Sequence, residues 1–386
     1  MHILIIHQYF LTPKTGGAIR SYYLAKGLSG HGHKISIITS GYHKSNEVKN
    51  INDIEVHYLS VSYHNRFSKR QRIVSFMRFV WCCILKAPKI KNVDLVYVIS
   101  SPLTVGFTAL WLKFFYSKPY VFEVGDLWPR APIEFGVIKN PLIKKWLYSF
   151  EKKVYKSASK IVALSLPIKD YILNKVPQAE IAVIPNMANI NFYKPVSCNY
   201  STDKNNPFII SYFGAISEAN YLEDIITLAE HLPKENNIIF QIMGEGKDAE
   251  KIKKMAKDKG LENVIFYPFG NRDEVVEKMN TSQAIIITYK DLAVLATGSP
   301  NKLFDGLAAG KLIIINFKGW TKELIENNKC GFHYQLGDAD DFNRKIKPFL
   351  TDRDLLKEYQ ENSRKLAEEE FAKERLISKL EKFITC

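Results

Sequence analysis

The sequence predicts two doubly wound α/β domains that face each other across a cleft. Three observations favour this class. Short apolar runs, typical of buried parallel strands, alternate with amphipathic helical stretches along most of the chain. A polar, unpatterned stretch between Pro195 and Pro207 interrupts the alternation, which then starts again. The length of 386 residues is too great for one hydrophobic core and suits two.

The first half begins with a βαβ unit. Residues 2–7 form a continuous apolar strand, a loop with Gly16 and Gly17 follows, and a helical pattern runs over residues 19–28. This order places the glycine loop at the carboxyl edge of the sheet. Further strands are predicted at 34–39, 55–59, 94–99, 120–123, 159–164 and 180–184. We expect residues 1–195 to form the N-terminal domain.

The second half repeats the alternation after a linker at residues 196–207. Strands are predicted at 208–213, 238–243, 264–267, 284–288 and 311–316, and helices at 222–232, 248–259, 272–279, 300–309, 321–327 and 340–350. The C-terminal domain is expected to span residues 208–370. Residues 353–384 are predicted to form a charged, amphipathic helical tail. The C-terminal helix, residues 371–386, is expected to pack back on the N-terminal domain.

The stretch of residues 299–310 is the strongest candidate for a binding site. Ser299 is predicted to cap a short helix that begins at Pro300. Three polar residues share one side of this helix: Asn301, Lys302 and Asp305. Unpaired N–H groups and the lysine would hold a diphosphate, and the aspartate would accept hydrogen bonds from sugar hydroxyls. The alternative is an ordinary capped helix of a βα unit.

Positive charge is concentrated in the first half. Residues 1–200 contain 27 Lys and Arg against 10 Asp and Glu, whereas residues 201–386 contain 27 against 30. A basic half suggests an anionic partner, such as a membrane, a phosphorylated lipid or nucleic acid. Basic and aromatic residues are interleaved over residues 64–83 and 139–160, which predicts contact with an anionic membrane. The basic residues assigned to this contact are Arg66, Lys69, Arg70, Arg72, Arg78, Lys144 and Lys145. The alternative for each segment is a solvated helix face.

The five cysteines are scattered and show no C-x-x-C spacing, which argues against a disulfide framework and a zinc site. We predict no metal and no cofactor. The apolar N-terminal run is too short and uncharged for a signal peptide, and no run reaches the roughly 18 apolar residues of a spanning helix. We expect a cytoplasmic protein that is peripheral at the inner face of the cytoplasmic membrane.

Several short motifs, taken in order, resemble those of retaining glycosyltransferases of the GT-B fold, in which two Rossmann-like domains face a central cleft. They are Gly16-Gly17, Gly32-His33-Lys34, Ile184-Pro185-Asn186, Gly244-Glu245-Gly246, Pro268-Phe269-Gly270 and residues 299–310. The sequence is similar to the large bacterial family four group. Residues 123–129 resemble members that transfer amino sugars such as N-acetylfucosamine.

The resemblance implies that the C-terminal domain binds a nucleotide-diphosphate sugar and the N-terminal domain binds the acceptor, with retention of configuration and no bound metal. We expect a UDP-linked, N-acetylated sugar and an acceptor that is a lipid-linked saccharide, another carbohydrate or a sugar phosphate. The product would be a surface polysaccharide such as O-antigen or capsule. The residues implied in donor binding are Gly16, Gly17, Gly214, Gly244, Glu245, Phe269, Gly270, Arg272, Gly298, Ser299, Pro300, Asn301, Lys302 and Asp305.

Two carboxylates, Glu123 and Asp126, lie at the end of a predicted strand and are expected to face the cleft. One of them could orient the acceptor hydroxyl or take its proton, so both are candidate catalytic residues. The alternative is a pair of loop carboxylates that cap the next segment and bond Arg130. Many relatives carry a histidine near this point, and the corresponding position here is Gly125.

The sequence departs from the family at the donor site. Family members use two acidic residues eight positions apart; Asp305 matches the second, which binds the ribose, but Thr297 stands at the first. The backbone of Thr297 or Gly298 is therefore expected to contact the sugar. Relatives often carry Arg and Lys after the glycine equivalent to Gly214, and this chain has neither there. We expect Lys302 to supply that charge.

Two other functions fit parts of the sequence. A UDP-sugar 2-epimerase shares the fold, but a soluble epimerase needs no basic membrane-facing surface. A nucleic-acid-binding protein would explain the charge, but the chain has no recognisable reading motif and its glycine-rich strand ends would have no role. We therefore predict no nucleic-acid partner. Conversion of a UDP-sugar without any acceptor would identify the epimerase.

Overall fold

The computed structural model describes residues 1–13, 19–41, 45–63, 67–195 and 206–386. It contains two α/β domains, each built on one mainly parallel sheet, as the alternation predicts. Most of the predicted linker, residues 196–205, lies outside the described residues. The chain passes between the domains twice, and Ala188 and Ala372 form a parallel bridge where the two passages meet.

The N-terminal sheet has eight strands: β1 (His2–Ile6), β2 (Lys34–Gly41), β3 (Glu47–Ile51), β4 (Ile54–Ser60), β5 (Leu95–Ile99), β6 (Tyr120–Val124), β7 (Lys160–Ala163) and β8 (Ile181–Val183). Their order is β3-β4-β2-β1-β5-β6-β7-β8, and only the β3–β4 pair is antiparallel. Ile3 of β1 pairs with Ile35 of β2 on one side and with Leu95 of β5 on the other. The sequence analysis missed β3, a mostly exposed edge strand without an apolar run.

Six helices cover this sheet: α1 (Arg20–Gly30), α2 (Lys69–Lys86), α3 (Val105–Tyr116), α4 (Arg130–Glu134), α5 (Pro141–Ser157) and α6 (Leu166–Lys175). The apolar sides of α2, α3, α5 and α6 form one core layer, through residues such as Phe79, Leu112, Val154 and Ile168. Helix α1 packs on the opposite face of the sheet. Because both faces are covered, the central strands are apolar throughout rather than alternating.

The C-terminal sheet has six parallel strands: β9 (Phe208–Phe213), β10 (Ile238–Met243), β11 (Val264–Tyr267), β12 (Ala284–Ile287), β13 (Leu312–Ile315) and β14 (Gly331–His333), in the order β11-β10-β9-β12-β13-β14. The helices are α7 (Glu223–His231), α8 (Ala249–Asp258), α9 (Arg272–Asn280), α10 (Asn301–Ala308), α11 (Trp320–Asn327), α12 (Ala339–Thr351), α13 (Arg353–Leu366) and α14 (Lys373–Thr385).

The C-terminal tail is helical, as predicted, and consists of two helices, α13 and α14. A π turn follows α13, and Ala372 then takes an extended conformation with φ −54° and ψ 132°. The Ala188 N–H donates to the Phe371 carbonyl at 2.8 Å, and the Lys373 N–H donates to the Ala188 carbonyl at 3.1 Å. These two hydrogen bonds join the passages and take the place of the helical hydrogen bonds that would continue α13 into α14. Beyond the break, α14 packs on α1 and adds Leu380 to the N-terminal core.

Both sheets reverse their strand order once, between β1 and β5 and between β9 and β12. Ligands of doubly wound sheets bind at the carboxyl ends of the strands beside such a reversal. The topology therefore directs attention to the residues that follow β5, β6, β9 and β12. No helix in the described ranges is long and apolar enough to span a bilayer.

Candidate functional site

A partly buried lysine lies at the carboxyl end of β9. The Nζ of Lys302, in the first turn of α10, donates to the Tyr212 hydroxyl at 2.9 Å and to Asn220 Oδ1 at 3.3 Å. A Cβ atom on Gly214 would be 3.5 Å from this Nζ. Removal from water lowers the pKa of Lys302 to about 7. The ammonium group thus lies beside Gly214, where relatives often carry Arg and Lys in the following residues and this chain has neither.

Asp305 lies one turn further along α10 and is also partly buried. Removal from water raises the pKa of its carboxyl group to about 7, while Arg272 and a hydrogen bond from Tyr193 act in the opposite direction. The Arg272 guanidinium lies 4.2 Å from the centroid of the Phe192 ring. The predicted ribose ligand and Arg272 are therefore brought together beside the first passage between the domains.

Glycines pack the loop after β10 against the loop after β9. A Cβ on Gly244 would lie 1.9 Å from the Gly214 carbonyl oxygen, and a Cβ on Gly246 would lie 2.0 Å from the Ile216 carbonyl oxygen. Only glycine allows so close an approach. The Glu245 side chain is exposed, and its carbonyl accepts a hydrogen bond from Ile216 N at 2.8 Å. These residues hold the backbone around Gly214 in place.

The loop after β11 is open to solvent. Phe269 is 55% exposed, and Gly270 lies against the methyl end of Met243. Asn271 caps α9, and a reciprocal bond from Glu274 completes a capping box. The loop therefore presents an aromatic ring and the start of α9, with Arg272 in its first turn.

Ser299 does not cap α10, contrary to the prediction. Pro300 occupies the N-cap position, and the helix begins at Asn301, which is exposed. The Ser299 hydroxyl instead accepts a hydrogen bond from the backbone N–H of Asn186 at 3.1 Å, and the Ser299 carbonyl accepts one from the Asn186 side chain. A bond to the N-terminal domain has replaced the local cap, and it ties the start of α10 to that domain.

Contact between the sugar and the backbone of Thr297 or Gly298 stays a prediction. In this structure the N–H groups of the two residues have partners within the chain. Both N–H groups donate at 3.2 Å to carbonyls three residues earlier. The Thr297 carbonyl accepts from the Ser165 hydroxyl at 2.6 Å, and the Gly298 carbonyl accepts from Trp320 Nε1 at 2.9 Å. These bonds join the turn to the N-cap of α6 in the other domain and to the first residue of α11.

We expect Ser299→Ala to lower the free energy of unfolding by about 1–3 kcal/mol, because the buried Asn186 N–H would lose its acceptor. Urea unfolding of the whole chain, followed by circular dichroism, measures the change. Ser45→Ala, at an exposed position, is the control. A change as small as that of the control would contradict the importance of this bond.

Across the cleft, Asp126 follows β6 and is exposed. Its Oδ2 accepts a hydrogen bond from the Ser101 hydroxyl at 3.0 Å. The surrounding protein partly removes the Asp126 carboxylate from water, and this desolvation raises its pKa. The hydrogen bond from Ser101 acts in the opposite direction. Tyr289, after β12 of the other domain, is close enough for the Asp126 charge to add to the effect of burial in raising the pKa of the Tyr289 hydroxyl. Asp126 is thus a cleft residue.

Glu123 does not face the cleft, and this part of the prediction is wrong. Its side chain is fully buried on the face of the sheet that α1 covers. Arg20 Nε donates to Glu123 Oε1 at 2.8 Å, and the Tyr97 hydroxyl donates to the other carboxylate oxygen. Arg20 also donates to the Ile184 carbonyl at 2.9 Å. Glu123 is one half of a buried ion pair that joins α1 to β6, and it does not bond Arg130.

Other predicted residues cannot be placed in the site. Gly16 and Gly17 lie outside the described residues, as do Arg66 and the side chain of Lys69. The remaining predicted membrane residues lie on α2 and α5: Arg70, Arg72, Arg78, Lys144 and Lys145. Among the described residues, no group of three or more His, Cys, Asp or Glu side chains could hold a metal ion. Metal independence stays a prediction.

The sequence analysis missed four residues of the site: Ser101, Tyr193, Tyr212 and Tyr289. Ser101 and Tyr289 each follow the end of a predicted strand, so their position at the carboxyl edge was a usable signal. Tyr193 and Tyr212 had no such signal. One lies in the passage between the domains, and the other reads as an ordinary strand residue.

Two family models match the chain. Residues 15–192 match the model for Glycosyltransferase Family 4, and residues 200–366 match the model for Glycosyl transferases group 1. The two matched segments follow one another, the first in the N-terminal half of the chain and the second in the C-terminal half. Their order is the one that the sequence resemblance implies.

The chain is 26% identical over 195 residues to the putative colanic acid biosynthesis glycosyl transferase WcaI of Escherichia coli strain K12. That match covers 48% of this chain and 47% of the relative, about half its length. Sucrose-phosphate synthase from Thermosynechococcus elongatus has a similar structure, with a TM-score of 0.78, 14% identity and coverage of 99% and 98% of the two chains. HepE from Anabaena in complex with UDP-glucose gives a TM-score of 0.71 at 16% identity, with 100% and 99% covered. These structures share the fold.

Proposed function

We propose that this chain, a glycosyltransferase of the GT-B fold, transfers an N-acetylated sugar from a UDP-linked donor to a lipid-linked saccharide or sugar phosphate. Transfer retains the anomeric configuration, uses no bound metal and serves the synthesis of a surface polysaccharide such as O-antigen or capsule. One observation carries the proposal: the Lys302 ammonium lies against Gly214 at the strand-order reversal, with Asp305 one turn away on the same helix.

In the proposed complex the donor diphosphate lies between the N-terminus of α10 and the loop after β9. Lys302 supplies positive charge, and the N-terminal N–H groups of α10 add hydrogen bonds and the favourable end of the helix dipole. Asp305 accepts hydrogen bonds from the ribose hydroxyls. The N–H groups of Gly16 and Gly17, in the N-terminal domain, are proposed to add hydrogen bonds to the phosphates.

In the proposed transfer, the bond between the anomeric carbon and the diphosphate oxygen breaks. A bond from the acceptor oxygen forms on the same face of the sugar, and the acceptor proton passes to Asp126, which later releases it to water. The raised pKa of Asp126 suits a proton acceptor. Lys302 stabilises the charge that develops on the leaving diphosphate.

The finer parts of the proposal rest on three sources of support. The solved complex of HepE with UDP-glucose supports a uridine donor. The name of the Escherichia coli relative supports a role in polysaccharide synthesis. The resemblance of residues 123–129 to amino-sugar transferases supports an N-acetylated sugar.

The test is thermal unfolding of the whole chain with UDP-, GDP- and dTDP-sugars. A ligand at 100 times its dissociation constant stabilises the folded state by about 2.7 kcal/mol, so the matching donor should raise Tm by several degrees. We expect a shift with UDP-sugars that is lost in Asp305→Ala. Asp258→Ala, an exposed aspartate on α8, should keep it.

The outcomes separate the alternatives. No shift with any nucleotide sugar would overturn the donor site, and a shift with GDP- or dTDP-sugars alone would overturn the uridine assignment. Incubation of the bound UDP-sugar without acceptor then tests the epimerase. A new UDP-sugar epimer in that mixture would contradict transfer, whereas release of UDP that depends on acceptor would support it.

A further inference from the structure

The solvent-facing side of three helices of the N-terminal domain, α2, α3 and α5, is unusually apolar. Among the described residues, seventeen large apolar side chains are exposed, and eleven of them lie on α2, α3 and α5. These eleven are Ile73, Val74, Met77, Trp81, Leu85, Phe114, Phe115, Tyr116, Leu142, Ile143 and Trp146. Soluble surfaces rarely gather so many large apolar side chains, and such a patch marks an interaction site.

The exposed side chains of α2 form a continuous stripe along the helix. On α2, Ile73, Met77, Trp81 and Leu85 recur every four residues and therefore share one side of the helix. Phe79 of the same helix points the other way, into the core. The apolar stripe on α2 is thus additional to the face that packs on the sheet.

An aromatic groove of about 460 Å³ joins the three helices. Ile84 of α2 contributes one wall, and α3 and α5 contribute the others. Inside it, the centroids of the Trp111 and Phe115 rings lie 4.0 Å apart, and those of the stacked Trp146 and Phe150 rings lie 5.8 Å apart. The groove joins the exposed side chains of the three helices into one surface, which we call the aromatic-basic face.

The same helices carry almost no negative charge. Their sequences contain eleven Lys and Arg and one acid, Glu151. Glu151 is fully buried and is bonded to Lys175, so it adds no negative charge to the surface. Lys153 places its Nζ 5.8 Å from the centroid of the exposed Phe114 ring. Cationic side chains are therefore interleaved with exposed aromatic rings.

We propose that the aromatic-basic face binds the surface of an anionic lipid bilayer. Tryptophan and phenylalanine would enter the headgroup region, and the lysines and arginines would contact lipid phosphates. A protein partner fits less well because lysine is depleted at the centre of protein interfaces. Nucleic acid would gain little from exposed aliphatic side chains such as Val74 and Leu142. The inference goes beyond the proposed function, since membrane binding needs no donor.

The experiment is sedimentation of the full chain with vesicles of phosphatidylcholine mixed with phosphatidylglycerol, and with vesicles of phosphatidylcholine alone. We expect binding to the mixed vesicles that weakens with added salt. The triple variant Trp81→Ser, Phe115→Ser, Trp146→Ser should bind at least about tenfold more weakly. A double variant, Lys145→Glu and Lys152→Glu, should lose the preference for anionic lipid.

Matched controls lie outside this face. Val48→Ser changes an apolar residue that is 53% exposed on β3, and Lys254→Glu reverses an exposed charge on α8. Both should bind vesicles as the natural chain does. The Tm of each variant and its shift with nucleotide sugar show whether the fold and the donor site are intact, so failure of membrane binding can be told from failure of the proposed function.

Two results would overturn the proposal. One is failure of the natural chain to sediment with the mixed vesicles. If that chain instead formed a dimer that the triple variant abolished, the face would be an interface between two copies and the proposal would be overturned. The other is a folded triple variant that binds the mixed vesicles as strongly as the natural chain.

Discussion

Replacing Lys302 with methionine is expected to lower kcat/KM for donor turnover about 100- to 1000-fold. Methionine is an unbranched side chain of similar length, but it removes the charge that the structure places over the Tyr212 ring and beside Gly214. Because the lysine is proposed to stabilise both bound and leaving diphosphate, the donor-induced rise in Tm should also shrink. Turnover is measured as release of the nucleotide from the identified donor.

The pH dependence of donor binding tests the same residue in a second way. Lys302 is charged below a pKa of about 7, and Asp305 is ionised above a pKa of about 7. Donor affinity should therefore fall as pH rises through 7, because the ammonium is lost, and fall as pH decreases through 7, because the carboxylate is lost. Lys302→Met should abolish the alkaline decrease and retain the acid one.

Lys329→Met is the control for both measurements. Lys329 pairs with Glu358 on the surface, and its side chain is 61% exposed. Its removal should leave turnover and the pH profile unchanged. If Lys302→Met kept natural kcat/KM, or kept the alkaline decrease, the diphosphate would have to be neutralised elsewhere.

Asp126→Asn is expected to lower kcat about 100- to 10 000-fold, the usual contribution of a positioned base. Asparagine can still accept the Ser101 hydrogen bond, so the loop should keep its shape while the group loses the ability to take a proton. The donor site lies on the other domain, so the donor-induced shift in Tm should be unchanged. The measurement is donor turnover at saturating donor and acceptor.

Asp170→Asn, on the surface of α6, is the matched control and should have natural turnover. A change in KM for the acceptor with kcat intact would show that Asp126 only orients the acceptor. Natural kcat and KM together would remove Asp126 from the mechanism.

Much of the fold could be predicted because its signals are local. Strands β9 and β10 have the boundaries that their apolar runs predict, since a strand covered on both faces is apolar along most of its length. The edge strand β3 was missed because its residues are exposed or half-buried, so it contains no apolar run. Its formation depends on its pairing with β4.

The candidate site was predictable in part. Lys302 and Asp305 could be placed together because a helix brings residues three apart to one side, whatever the rest of the chain does. The assignments of Glu123 and Ser299 failed because each side chain has a partner far away in sequence. Arg20 is 103 residues from Glu123, and Asn186 is 113 residues from Ser299.

The sequence by itself determined the two-domain α/β architecture, the polar side of α10 and the charge difference between the halves, since periodicity, helix geometry and composition act over short distances. Only the tertiary structure decided which carboxylate faces the cleft, what closes the turn at Thr297, where the tail breaks and that α2, α3 and α5 expose one aromatic-basic face. Each of these depends on pairing, burial or contact between segments that the chain brings together only when it folds.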